Sequence, residues 1–232
     1  MTQSMIEIKS PFFLKEEDLS SPADFSAIFG NSNPLALEIG CGIGDFMAQL
    51  AANSPERNFL AIDIYNKGCN KTCNRLELKG LTNVRVMRIE ARYLLSRFLT
   101  PGCLTAIYIN CPDPWPKKRH LKRRLVNELF LQTLLHYLQP DGELFFSSDV
   151  ADYAEAVAAH LEQVTGFENQ LSSPVSHDLP GYPLSKYMRR FLAQGQPIHF
   201  LHHRRNRQHV CEGAPPQSAQ RGFRIDWSSN HG

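Results

Sequence analysis

The chain has 232 residues, 42% hydrophobic and 21% charged, enough apolar mass for one large core and too much for a disordered chain. No apolar run approaches the roughly 20 residues that span a bilayer, and the N-terminus lacks the basic-then-apolar pattern of a secretory leader, so neither membrane insertion nor export is expected. The formal charge of +2 is unevenly spread: residues 117–124 hold six Lys/Arg, leaving the remainder net acidic, which points to a polyanion bound at one place.

The six cysteines form no Cys-x-x-Cys pair, which fits free thiols in a reducing, cytoplasmic setting and no metal. Residues 1–33 are of mixed character and read as an N-terminal arm. Short apolar runs at 35–39, 58–64, 83–89, 104–109 and 143–148 suit buried parallel strands. Helical patterns lie between them, through Ala52, from Lys67 to Lys79 and on to Phe98. Leu125, Val126, Leu129, Phe130, Thr133, Leu134 and Tyr137 recur at helical spacing, predicting one buried face. Pro140-Asp141-Gly142 reads as a turn, 150–165 as a helix, 168–184 as a loop and 185–192 as a short helix. Residues 198–204 read as a last strand, antiparallel at or near an edge, with His202 and His203 on the surface. The main domain is thus 34–205, and 206–232 reads as a polar, disordered tail. Strands and helices alternating every 20–25 residues predict an α/β fold, a doubly wound, mostly parallel sheet with helices on both faces. Ligands bind such sheets at the strand carboxyl ends.

The candidate site residues fall at those ends. Glu38-x-Gly40-x-Gly42-x-Gly44 leaves a strand and opens a helix, where glycines admit tight turns and close ligand approach and the helix start offers free N–H groups. Gly44 comes one residue too early for a dinucleotide fingerprint, which disfavours a nicotinamide oxidoreductase. The spacing instead resembles motif I of class I S-adenosylmethionine (SAM) methyltransferases. Asp63, closing the second strand, can accept the ribose hydroxyls of an adenosyl group while also capping a helix. Glu90 closes the third strand, either beside an adenine ring or as an ordinary helix start. Asp113 lies in Pro112-Asp113-Pro114-Trp115-Pro116, a loop stiffened by three prolines, and Trp115 is placed to stack on a base or to pack under the loop. The cations that follow bind phosphates without reading sequence, and their position at a helix start, against the dipole, favours function over a merely solvated face.

Pro112-Asp113-Pro114-Trp115 with its basic run strongly resembles the signature of bacterial tRNA (guanine-N7-)-methyltransferases, the TrmB family, over about residues 30–205. The resemblance implies a Rossmann-like class I methyltransferase fold, SAM as methyl donor, and tRNA as partner, modified at N7 of a variable-loop guanosine. It implies contacts to SAM or its pocket from Glu38, Gly40, Gly42, Gly44, Asp63, Glu90 and Asp113, with Asp113 also catalytic. Lys117, Asp149, Ser185, Lys186 and Tyr187 would hold the target nucleotide, with Arg119, Lys122, Arg123 and Arg124 on the RNA. The family usually writes Thr-Lys-Phe-Glu where this chain has Ser185-Lys186-Tyr187-Met188, so one carboxylate is missing. That departure motivates an alternative, a non-catalytic or altered-specificity RNA-binding relative. Monomer and homodimer are both left open.

Overall fold

Each apolar run is bounded by turn residues and is buried on both faces, which makes it a central parallel strand. The computed structural model describes residues 6–217. It contains β2 (Leu35–Ile39), β3 (Asn58–Asp63), β4 (Val84–Arg88), β5 (Leu104–Asn110) and β6 (Leu138–Ser148), paired in parallel in the order β4-β3-β2-β5-β6. A two-residue strand of the N-terminal arm, β1 (Phe13–Leu14), joins β4 in parallel. At the other side β8 (His199–Arg205) runs antiparallel to β6. The sheet does not end there, because β7 (Phe167–Asn169), within a stretch read as loop, adds antiparallel to β8 and forms the edge. A three-residue strand carries too little periodicity to be seen in sequence.

Alternation along β2 divides the core. Leu35, Leu37 and Ile39 face the cluster that also buries α4 (Ala91–Phe98), α5 (Glu128–Tyr137) and α6 (Ala151–Gln163). Ala36 faces the opposite cluster with Phe59, Ala61 and Ala106, covered by α2 (Asp45–Asn53) and α3 (Asn66–Lys79). Full burial of each Leu or Ile in these layers contributes about 1.5–3 kcal/mol.

Three local expectations change. First, β6 starts at Leu138: the Pro140-Asp141-Gly142 turn is a kink inside it, with Asp141 at φ 63° and a register shift opposite Leu104/Ala106. Second, α5 begins only after Asn127, whose Oδ1 accepts the Phe130 N–H at 3.0 Å. Its buried side is Phe130, Leu131, Leu134 and Leu135, and Leu129, one residue off that stripe, is exposed. Third, His203 is buried, and burial with the neighbouring His202 pushes it down to about 4.

The expected tail begins on the domain. Arg207 pairs with Asp141, the Gln217 N–H donates to Thr133 Oγ1 at 3.1 Å, and Gln217 Oε1 accepts from Arg92 Nε at 3.1 Å. Residues 218–232 lie outside the described residues. Among the described residues no helix is long and apolar enough to cross a membrane, and no cluster of three His, Cys, Asp or Glu could hold a metal.

From β2 the chain winds through β3 and β4 to one side, then crosses to β5 on the other. The loops after β2 and β5 therefore separate at this switch, leaving a crevice at the strand carboxyl ends. The candidate site lies there.

Candidate active site

The loop after β2 carries three glycines at positive φ, and they do different work. A Cβ on Gly44 would lie 2.6 Å from Thr72 on α3, so this glycine serves helix–helix contact. Gly40 and Gly42 have nothing within 4 Å of that position: the space beside them is open. Gly68, on α3, is a glycine the motif did not flag, and its Cβ would meet the Gly42 carbonyl at 2.5 Å. Asp63 holds the loop from below, its Oδ2 accepting the Gly42 N–H and its Oδ1 the Tyr65 N–H, each at 2.8 Å. Burial raises the Asp63 pKa, the backbone amides pull it back, and the Asp113 charge adds a smaller push upward.

Glu38, the penultimate residue of β2, has only 1% of its surface exposed. Burial pushes its carboxyl up to about 8, partly offset by the Asn110 amide and reinforced by Asp63. Its Oε2 is fully buried with no hydrogen-bond partner. An orphaned buried carboxylate oxygen is costly, and marks a place where a ligand supplies the missing donor. Glu38, Gly40 and Gly42 line a cavity of about 350 Å3 with Asp45 and Phe46 of α2.

The opposite wall of the same cavity comes from the other loops. Asn110 ends β5, Cys111, Asp113 and Pro114 follow it, Asp149 follows β6, and Ser185, Lys186 and Tyr187 open α7 (Lys186–Ala193). Asp113 is exposed at this wall. Its loop is bracketed by two non-glycine residues in left-handed conformation, Cys111 at φ 43° and Trp115 at φ 42°. Each costs on the order of 1–3 kcal/mol, strain that concentrates at functional sites. Both precede a proline, which disfavours the α-helical alternative. Trp115 packs within its own loop, edge-on to His120 at 5.7 Å and with the Arg123 guanidinium 5.0 Å over its ring. Ser185 Oγ caps α7 by accepting the Met188 N–H, and the Met188 sulfur faces the Ser185 N–H at 3.4 Å. Met188 is fully buried beside Ile198 and Phe200 and does not line the cavity. The missing carboxylate therefore leaves no hole in this wall.

The basic run forms a 3-10 turn over Lys118–Arg123, with Lys117, Lys118, Arg119 and Lys122 exposed. Arg124 is set apart. It is buried, its Nε donates to the Pro114 carbonyl at 2.9 Å, its Nη2 reaches both Asp152 oxygens at 3.0 and 3.1 Å, and its guanidinium lies 4.5 Å over Tyr153. Expected on the RNA surface, it braces the Asp113 loop against α6 instead.

Glu90 lies outside the shared cavity. It caps α4 through the Tyr93 N–H at 3.1 Å and pairs with Arg92 at 2.8 Å. It borders a second cavity of about 370 Å3, closed by Ile6–Ile8 and the 13–17 stretch of the arm. Asn66 pins that arm by bonds to both the N–H and carbonyl of Ile6. Sequence reasoning missed Asp45 and Asn110. Asp45 accepts Arg189 of α7 at 2.7 Å and Arg75 of α3 at 3.3 Å, tying the two walls together. Asn110, at the last position of β5, had the same strand-end signal as Asp63 and Glu90.

Comparison with known proteins agrees with this architecture. A family model described as "Putative methyltransferase" matches residues 32–201. A tRNA (guanine-N(7)-)-methyltransferase of Syntrophotalea carbinolica is 77% identical over 232 residues, covering 100% of both chains. One of Geobacter metallireducens is 54% identical over 213 residues, 91% of this chain and 99% of that one. The crystal structure of the 16S rRNA methyltransferase KamB, at 15% identity, matches the fold with a TM-score of 0.57 over 78% of this chain and 92% of its own. The chain belongs to the tRNA (guanine-N7-)-methyltransferase family.

Proposed function

We propose that the chain transfers a methyl group from SAM to N7 of a guanosine in the tRNA variable loop, in the cytoplasm. The observation that carries this reading is the single cavity whose one wall holds Glu38, Gly40 and Gly42 and whose other holds Asp113, Asp149 and Lys186. A cofactor and a base can meet there.

The residues fit SAM. Glu38 Oε2 lacks a donor, Gly40 and Gly42 leave open space, and Asp63 keeps lone pairs for ribose hydroxyls after accepting two amides. Glu90, with Asn66 in the second cavity, takes the adenine side. When bound, SAM supplies an electrophilic methyl on a sulfonium.

Guanine N7 bears a lone pair and no proton, so the chain need supply no general base. Its contribution is orientation and charge. Asp113 and Asp149 present carboxylates to guanine N–H donors, and Asp113 stabilises the positive charge that alkylation places on the purine. Lys186 and Tyr187 flank the base, and Ser185 fixes the start of their helix. Lys117, Arg119, Lys122 and Arg123 contact phosphates. Arg124 serves as a positioning residue for Asp113. A non-catalytic role has no specific support, because Met188 faces the core.

The test is radiolabelled SAM with unmodified tRNA, followed by nucleoside analysis. Label in 7-methylguanosine is expected. Label in another nucleoside, or none, would reject the reading.

A further inference from the structure

The helix that carries Lys186 and Tyr187 does not fix its own direction. α7 has eight residues, well below the roughly 12–15 at which an isolated helix becomes even marginal in water. Only Met188 of them is fully buried, seated against Ile198 and Phe200 with Phe191 packed beside it. One apolar anchor leaves a helix free to turn about that point. Tyr187 is 54% exposed and Lys186 is exposed too, so neither is held by its own packing. Another group must set the angle from which they face the cavity.

That group comes from α2, the helix opened by the glycine loop. Gln49 Nε2 donates to the Leu184 carbonyl, just before α7, at 3.0 Å, and Arg189 Nη1 donates to the same carbonyl. Arg189 Nη2 then reaches Asp45 Oδ2 at 2.7 Å. The other carboxylate oxygen, Asp45 Oδ1, lies 3.3 Å from Arg75 Nη1 of α3. Arg75 Nε in turn donates to the Ile43 carbonyl, inside the glycine loop, at 3.1 Å. Asp45 therefore gives one oxygen to each side. Its side chain is only 14% exposed, where an ion pair is screened less than on the open surface. As the first residue of α2 it also stands at the positive end of that helix. The fixed partner is Asp45, and Arg189 takes its place from it.

We propose that Asp45, through Arg189, is a positioning residue for the base-holding start of α7. It sets the angle at which Lys186 and Tyr187 meet the target guanosine, and Gln49 supports it at Leu184. The inference rests on the reading of this cavity as the place where cofactor and guanosine meet. Misplacing an orienting group by about 1 Å can cost about 100-fold in rate. Arg189 is half exposed, so the rival role is a phosphate contact. The two roles leave different marks: phosphate contacts set affinity and its salt slope, whereas alignment of one base sets the rate.

The test is Arg189→Met in the full chain, which keeps the stem and removes the guanidinium at a position outside the cavity lining. Steady-state methylation is measured with S-adenosylhomocysteine affinity and with tRNA filter binding over a salt series. The expected result is a kcat lower by about tenfold or more, with both affinities and the salt slope native. Asp45→Ala is expected to show the same loss. The double variant is expected to be no slower than the slower single one, because both break one link. Arg189→Lys, which keeps the charge, should regain part of the rate. A native kcat in Arg189→Met, or losses that multiply in the double variant, would overturn the proposal. Weakened tRNA binding with a lower salt slope and a native kcat would make Arg189 a phosphate ligand and overturn it as well. If the unaltered chain transferred no methyl to tRNA, the functional reading itself would fall, and this inference with it.

Discussion

The buried wall of the cavity and the basic turn that follows the Asp113 loop differ in kind. Around Glu38 the side chains are buried, the loop is pinned by Asp63, and specific atoms lack partners. The Lys117, Lys118, Arg119 and Lys122 side chains are exposed and cationic, and among the described residues none of them forms an ion pair. Buried wall atoms recognise a small ligand by geometry, where one unmatched group costs a large penalty. An exposed cationic turn recognises a polyanion by charge density, where each contact is weak and screened by salt. Asp113 stands where the two meet, on a strained loop braced from behind by Arg124.

Substitutions can separate the two regions. Reversing Lys117, Lys118 and Arg119 to Glu should weaken tRNA binding by about 100-fold or more and lower its salt slope by about 3, while S-adenosylhomocysteine affinity stays native. Filter binding over a salt series reads both. An unchanged slope would remove the turn from the RNA site. Arg124→Ala should act through stability: the buried guanidinium loses its Asp152 and Pro114 partners. The cost is about 2 kcal/mol, or roughly 5 °C in Tm, kept below the full buried-pair value because Asp152 is largely exposed. A native melting curve with weakened tRNA binding would return Arg124 to the RNA surface.

The subtlest prediction concerns Glu38. It titrates near 8 in the fold against an ordinary 4.5, so the folded chain holds that proton longer than the unfolded one. Its burial is therefore free at low pH and increasingly destabilising as pH rises from about 4.5 to about 8. Glu38→Gln should raise the Tm of the cofactor-free chain at about pH 8 and leave it unchanged near pH 4.5. Binding an ammonium requires the ionised acid, so native affinity for S-adenosylhomocysteine should climb between about pH 6 and pH 8. A flat profile would mean that Glu38 is already ionised.

The same contrast explains what could be read from sequence. Strands 35–39 and 58–63 and the glycine loop were legible because periodicity and glycine spacing are local properties. The basic run was legible because composition alone reveals it. Arg124 was not: nothing in Lys122-Arg123-Arg124 says which cation turns inward, since Asp152 and Tyr153 arrive from another helix. Met188 was misleading for the same reason. Its absent charge looked like a defect in the site, but Ile198 and Phe200 of the returning strand region bury it and its sulfur completes the α7 cap. The Ser147 and Tyr182 hydroxyls both donate to the Asn110 side-chain carbonyl, and Tyr182 is delivered by a loop 72 residues away. Tertiary neighbours decide such cases.

The role proposed for Asp113 is to act on the reaction rather than on binding. Single-turnover methylation by Asp113→Asn, measured with affinities for S-adenosylhomocysteine and tRNA, tests it directly. Near-native affinities are expected, with a rate lowered by about 100-fold or more, because a group that stabilises developing charge is neutralised. A near-native rate, or a loss confined to binding, would contradict it.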